Sequence, residues 1–380
     1  MKFTIQRDQL MESVQDVMKA ISSRTTIPIL TGMKVEATEH GVKLTGSNSD
    51  ISIESFIPIE QNGIVYVENI QPGSIVLQAK YFPDIVRKLP QQTVELEVDD
   101  HANVSVRSGS AEFHLNGQDA EEYPLLPQVQ AEQSFELPID LLKGLIRQTV
   151  FAVSTSETRP ILTGVNMIVE NGELQFVATD SHRLASRKIP MQENANNVSF
   201  QNVVIPGKSL TELNKILADS QETIEISVTE NQILFRTQHL YFLSRLLDGN
   251  YPETSRLIPD QTKTMIQVDT KELLHSIDRA ALLAKENRNS VVKLTTRTNN
   301  QIEISSNSPE VGKVEEEFQA ESLEGEDLKI SFSAKYMMDA LKVMDTEKVN
   351  IQFTGAMRPF LIRPMDNDEI LQLILPVRTY

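Results

Sequence analysis

The chain has 380 residues, no cysteine and a formal charge of −17, with 36 Lys and Arg against 53 Asp and Glu. The lack of cysteine excludes a disulfide framework, a thiolate nucleophile and a thiolate metal site, and is compatible with a reducing compartment. The start MKFTIQRDQL carries charge too early for a secretion signal, and no apolar run approaches the roughly 18 residues of a membrane span, so a cytoplasmic location is expected.

In chain order, Leu10, Val14, Val17, Met18 and Ile21 share one helical face and predict a first helix over 7–24. PILTGMKVEATEHGVKLTGSNSD (28–50) follows, then QAKYFPDIVRKL (78–89), with a second helix beginning near Lys80, and the alternating strand VELEV (94–98). The order then restarts. FELPIDLL (135–142) repeats FTIQRDQL (3–10), its helix carrying Leu142, Leu145, Ile146 and Thr149. PILTG at 160–164 repeats 28–32 at a shift of 132, which also sets Thr179-Asp180-Ser181 on Ser47-Asn48-Ser49. PGKSLTELNKIL (206–217), IEISV (224–228) and DGNYPETSRLIP (248–259, matching NGQDAEEYPLLP at 116–127) keep the phase.

A third start, IQVDTKEL (266–273), comes after a further 131 residues. Asp269 and Glu272 form a capping-box pattern, and Leu273, Leu274, Ile277 and Ala281 make the helix face. SVVKLTTRTNNQIEISSNSP (290–309) places Asn307 where Asp180 stood; SAKYMMDALKVM (333–344) and a weaker strand NIQF (350–353) complete the copy. The run Glu315-Glu316-Glu317 reads as a solvated strand end. A period of this length indicates tandem domains rather than a solenoid, whose repeats run to about 20–50 residues. The expected architecture is α+β, with amphipathic helices on antiparallel sheet, in three similar domains at 1–127, 128–255 and 256–380.

Charge is not evenly spread. The helical stretches 7–24, 79–88, 140–147, 207–217, 270–288 and 335–342 hold sixteen basic and ten acidic residues, a net +6 that leaves −23 elsewhere. Such a chain can present a basic surface to a polyanion, although solvated helix faces also carry excess Lys. Lys80, Lys208 and Lys335 recur near the start of each second helix, where the helix dipole disfavours a cation. Either phosphate contact or shared ancestry accounts for them.

Two motifs invite an enzymatic reading. Gly207-Lys208-Ser209 opens a helix after a strand, but the P-loop pattern needs a glycine where Asn202 stands. TDSHR (179–183) gathers polar groups within one run, whereas a triad assembles from separated positions. The other copies lack its His, which marks it as a feature of the second copy. No metal spacing occurs among the six His, and no cofactor is expected.

The segments SSRTTIPILTG, FAVSTSETRPILTGV, ATDSHRLA, VVIPGKSLTEL, LLDGNYP, ISSNSPE, TGAMRPFLIRP and LQLILPVRTY, in order over the whole chain, resemble the bacterial β sliding clamps, the processivity subunits of DNA polymerase III. The resemblance implies a DNA-clamp fold: a non-catalytic head-to-tail homodimer closed as a ring, with helices lining a pore around duplex DNA and antiparallel sheets outside. Its partners are the replicative polymerase, the clamp loader and other proteins carrying a clamp-binding peptide, with no membrane role. DNA-facing positions carried over are Arg24, Lys80, Ser156, Pro160 and Ile161; Lys208 and Lys335 join them on the repeat argument. The implied peptide groove comprises Arg159, Leu162, Thr179, Ser181, His182, Arg183, Leu184, Pro252, Leu257, Tyr336, Leu373, Ile374, Leu375, Pro376, Val377 and Arg378, with His182, Arg183 and Arg378 at its edge. Phe113 and Leu115 are expected to meet Leu282 and Leu283 across the dimer contact, where Ser110 and Glu112 replace basic residues of some relatives. A nucleotide-hydrolysing enzyme and a scaffold without DNA contact are the alternatives.

Overall fold

The computed structural model describes residues 1–127, 129, 133–191, 198–220, 222–284 and 290–378. The expected boundary at 128, the end of the 270–288 stretch and the last two residues lie outside them. Six α-helices occur among the described residues: α1 Arg7–Met18, α2 Phe82–Lys88, α3 Ile139–Arg147, α4 Gly207–Ile216, α5 Thr270–Ala284 and α6 Ala334–Lys342. Their order, two per repeat, follows the sequence reading.

Two boundaries need correction. The first helix stops at Met18 rather than 24: the N–H groups of Lys19, Ala20 and Ile21 bond three residues back, to Asp16, Val17 and Met18, and beyond them the Ser22 hydroxyl accepts the Arg24 N–H at 3.1 Å. The second begins at Phe82, with Pro83 in its first turn, so Lys80 precedes the helix.

The chain forms two compact units, residues 1–139 with 215–246, and residues 140–214 with 247–380. In the first unit, an eight-stranded antiparallel sheet runs Gln133–Pro138, Thr223–Val228, Gln232–Arg236, Leu240–Arg245, Ile51–Pro58, Gly41–Ser47, Gly32–Thr38, Gly73–Gln78. A five-stranded sheet runs Ala111–Asn116, Asn103–Ser108, Thr93–Val98, Lys2–Gln6, Val67–Gln71. In the second unit, a nine-stranded sheet runs Phe200–Pro206, Gly164–Glu170, Glu173–Thr179, Arg183–Pro190, Ile370–Ile374, Phe360–Pro364, Lys348–Phe353, Thr264–Asp269, Ser322–Gly325. A four-stranded sheet runs Gly312–Gln319, Gln301–Ser308, Val291–Thr296, Lys329–Ser333.

One joint occurs twice. Ile51–Pro58 of the first repeat pairs with Leu240–Arg245 of the second, Ser52 opposite Leu243. Arg183–Pro190 of the second pairs with Ile370–Ile374 of the third, Leu184 opposite Leu373. The counterparts left over are Gly312–Gln319 and Ala111–Asn116, each the last strand of its sheet. The Glu315–Glu317 run is therefore inside an edge strand and not at a strand end; Glu316 faces Arg279, whose guanidinium lowers its carboxyl below the usual range.

Local chemistry accounts for the elements. Alternation in Thr93–Val98 buries Val94 and Leu96. Asn171 and Gly172, at φ 53° and 76°, form the two-residue turn between paired strands that only left-handed residues close well. In the third repeat, Leu273, Ile277, Ala280 and Ala284 of α5 and Met337 and Leu341 of α6 enter one core. Phe332, Phe353 and Phe360 meet there at 5.0–5.7 Å. The Asp269 half of the expected capping box forms: Asp269 Oδ1 accepts the Glu272 N–H at 2.8 Å.

Asp269→Ala removes that cap and is expected to lower the stability of the third repeat by about 1 kcal/mol in chemical denaturation. Arg147 at the end of α3 forms a two-pronged ion pair with Asp345 and lowers its carboxyl from the ordinary 3.8. A depressed folded-state pKa contributes stability above the unfolded value, lost as pH falls through the folded one. Asp345→Asn should therefore destabilise at neutral pH by less than about 1 kcal/mol, since both groups are half exposed, and the difference should fade as pH falls below 3.8 through the lowered folded-state value.

Candidate docking groove and DNA-facing residues

Thr179, Ser181, His182, Arg183, Leu184, Leu373 and Leu375 of the expected groove come together at the second joint. Asp180 organises the turn that enters it: Oδ1 accepts the N–H groups of His182 and Arg183 at 2.9 and 3.0 Å, and Oδ2 takes Arg183 Nε at 3.1 Å. Ser181 sits at φ 74°, a left-handed position within that turn. Thr179, buried, donates its hydroxyl to the Arg183 carbonyl at 2.6 Å and closes the turn from the other side. The TDSHR run is thus a structural turn. Its carboxylate is occupied by backbone and by Arg183, which leaves no arrangement of nucleophile and base.

The floor is apolar. Val177, Leu184, Leu361, Leu371 and Leu373 form one buried cluster, with Ile168, Tyr251 and Ile258 packed against it. The strands alternate, so Leu371 and Leu373 face the groove while Ile374 turns into the third-repeat core. Tyr251 crosses the floor; its hydroxyl accepts the Thr179 N–H at 2.9 Å, and burial raises its pKa well above the ordinary 10. Leu162 is also buried.

Above the floor, Leu257 is 50% exposed, and Pro252, Arg159, Ser181, His182 and Arg378 are exposed. Arg159 reaches Ser181 Oγ at 3.5 Å. Leu375, Pro376 and Val377 are half-buried, and the tail is pinned: the Leu375 N–H donates to the His182 carbonyl at 2.9 Å, and the Val377 N–H to the Ser331 carbonyl at 2.7 Å. Tyr336 is half-buried, with its hydroxyl pKa raised, chiefly by burial.

Two expectations are corrected. Arg183 does not stand at the groove edge: its side chain is 6% exposed and its donors are taken. Nη1 donates to Asp339 at 2.7 Å and Nη2 to the Phe151 carbonyl at 2.6 Å, while the guanidinium lies 4.5 Å from the Tyr336 ring and 5.3 Å from that of Phe151. A buried cation persists only when paired in this way, so Arg183 holds the groove wall and is not free for a ligand. Ile374 is likewise core. Sequence reading missed Val177, Tyr251, Ile258, Leu361, Leu371, Asp180 and Asp339. The period-two pattern Leu371, Leu373, Leu375 was the available signal for part of the floor.

Arg24, Lys80 and Lys208 are exposed, with Lys80 Nζ 5.0 Å from the Tyr81 ring. Lys335 is exposed and pairs with Asp339 at 2.8 Å, on the same carboxylate oxygen that Arg183 uses. Ser156 and Pro160 are exposed, Ile161 half-buried, and Ser156 Oγ lies 2.9 Å from Thr158 Oγ1. On the edge strand of the first repeat Phe113 is 36% exposed and Leu115 half-buried; on α5 Leu282 is 63% exposed and Leu283 half-buried. Glu112 is held by Arg107, which also pairs with Glu95 and Glu97. Among the described residues no group of three His, Asp or Glu is placed to hold a metal ion, and no helix is long and apolar enough to cross a membrane.

Comparison with known proteins agrees with this geometry. Family models of the DNA polymerase III beta subunit match in order: the N-terminal domain at 1–127, the central domain at 136–253 and the C-terminal domain at 255–378. The Beta sliding clamp of Bacillus subtilis is 62% identical over 380 residues, all of both chains. The crystal structure of the DNA polymerase sliding clamp from that organism superposes at TM-score 0.95, with both chains fully covered. A Pseudomonas aeruginosa sliding clamp bound to griselimycin, 27% identical, superposes over all of both chains at 0.91. Three domains matched in order and identity sustained along the whole length make this chain a member of the DNA polymerase III β subunit family, the sliding clamps.

Proposed function

We propose that this chain acts as a non-catalytic processivity clamp: two copies close head to tail around duplex DNA in the cytoplasm and hold the replicative polymerase, the clamp loader and other peptide-bearing proteins there. The domain limits we assign are 1–127, 128–255 and 256–380. The observation that carries the reading is the repeated joint. Each repeat joins the next through the same two strands, and the chain is left with one unused strand of each kind, Gly312–Gln319 and Ala111–Asn116. An edge strand left bare is a liability; pairing these two between copies removes both at once.

Enclosure replaces tight binding. A ring that surrounds DNA needs only weak, screened phosphate contacts, so it can slide. We assign those contacts to Arg24, Lys80, Lys208 and Lys335, with Ser156, Pro160 and Ile161 beside them. A tethered polymerase then meets the primer end at raised effective concentration. The docking site is the second joint, where an apolar floor lies beneath the exposed Leu257, Pro252 and His182. Such a floor suits a Leu or aromatic anchor of an extended peptide.

Loaded on nicked circular DNA, the protein should be retained and should leave when the circle is cut; persistence on linear DNA with free ends would count against enclosure. Arg24→Glu with Lys80→Glu should reduce retention at moderate salt and flatten its salt dependence. Leu282→Ala with Leu283→Ala should give folded monomers, since each buried Leu contributes about 1.5–3 kcal/mol; light scattering that still reports a dimer at low micromolar concentration rejects these contacts. For docking, Leu184→Asp sets an unpaired charge into the floor and should weaken a Gln-Leu-Ser-Leu-Phe peptide by on the order of 100-fold, from a burial cost of roughly 3 kcal/mol. Truncation before Leu375 should do the same while leaving the dimer intact. Unchanged calorimetric affinity in both variants places docking elsewhere.

A further inference from the structure

The first joint repeats the frame of the second with different side chains. Strand register fixes the correspondence: Thr179 opposite Leu184 becomes Ser47 opposite Ser52, and Leu184 opposite Leu373 becomes Ser52 opposite Leu243. The floor positions Val177, Leu361 and Leu371 become Thr45, Leu234 and Tyr241. One step beyond Leu373 and Leu243 along the same face, Leu375 is replaced by Arg245. Leu125 stands where Leu257 does, 132 residues earlier.

The place is formed and open. A cavity of about 350 Å³ lies among Ile27, Leu30, Ser52, Leu125, Leu243 and Arg245. Leu125 is 91% exposed and Ile27 47%, an unusual outlay of apolar surface beside a cavity. Ser47 and Ser52 join their hydroxyls at 2.7 Å on its floor, and Ser47 Oγ donates to the Asn48 carbonyl at 3.3 Å, so the hydroxyl protons are used within the joint. Arg245 is exposed; its N–H donates at 2.9 Å to the carbonyl of Asp50, which also lines the cavity, and its guanidinium forms no ion pair among the described residues.

We propose that this first joint is a second peptide-docking groove, selective for an extended segment in which a Leu anchor is followed by a carboxylate. The inference rests on reading the second joint as a docking groove and extends it to a different ligand. Leu125, Ile27 and Leu30 take the anchor. The carboxylate meets Arg245, at the place where the other groove offers Leu375 to an aromatic end. The exposed guanidinium favours an anionic end, and the hydroxyl of Ser52 withholds from a ring the apolar contact that Leu184 gives it in the other groove.

The test is calorimetry on the full chain with two peptides, Gln-Leu-Ser-Leu-Phe and Gln-Leu-Ser-Leu-Glu. The Glu peptide should bind Leu184→Asp within about twofold of the parent protein, and should lose about tenfold or more in affinity to Leu125→Asp and to Arg245→Glu. Arg245→Glu should in turn accept Gln-Leu-Ser-Leu-Lys, which shows that the variant is folded and the contact electrostatic. The Phe peptide should respond to Leu184→Asp and ignore Arg245→Glu. No binding of the Glu peptide at millimolar concentration, or binding that Arg245→Glu leaves unchanged, overturns the second groove. A Phe peptide indifferent to Leu184→Asp overturns the first groove instead, and the two failures are read from different peptides.

Discussion

Pairing of terminal strands between neighbouring repeats is the constraint on which the rest of the molecule depends. Each half-repeat ends in a strand whose outer N–H and C=O groups need partners, and the adjoining repeat supplies them: Ile51–Pro58 with Leu240–Arg245, Arg183–Pro190 with Ile370–Ile374. The joints make continuous sheets of eight and nine strands out of separate repeats. They also set strands of two repeats side by side on one face, and the groove we assign to docking is built on such a face. Binding and architecture therefore draw on the same hydrogen-bonded ladder.

At the second joint the ladder is reinforced by charge. Arg183, almost wholly buried, spans Asp180 in its own turn, Asp339 on α6 and the Phe151 carbonyl, with two aromatic rings against its faces. Arginine suits this place because its planar fork meets several acceptors at fixed angles while its faces stack. Loss of one partner would leave the remaining charge buried, so the arrangement is held as a unit. The groove above it inherits that rigidity, and under the proposed docking role a preformed groove spares a peptide part of the ordering cost of binding.

Much of this was legible in the sequence, for reasons of period. The shift of 132 and then 131 aligned the repeats, helical spacing located the first helix of each and repeat phase the second, and alternation found Thr93–Val98, Thr223–Val228 and, more weakly, Lys348–Phe353. Helix ends were less legible, because after Met18 the backbone bonds tighten to three residues while the apolar spacing runs on to Ile21. Arg183 was misplaced for a different reason. Its number in the chain says that it adjoins the groove, but burial is decided by Asp339 and Phe151, which lie 156 and 32 residues away. Likewise Val177 and Leu361 become groove floor only through strand register, which sequence spacing within one strand does not carry. Ile374 shows the converse: one residue from Leu373, it belongs to the other face and another core.

The two unmatched edges differ in kind, one ending a first half-repeat and the other a second. A chain bearing such a pair has a polarity: its head recognises only a tail. No association of one copy with another through this joint can be symmetric in itself, and each addition regenerates one head and one tail. Growth stops only if the turn per repeat brings the last tail back to the first head. Twist at the joints therefore decides between a closed particle and an open polymer. A substitution that altered the curvature of these sheets without weakening the edges would turn a ring-former into a filament-former rather than a monomer.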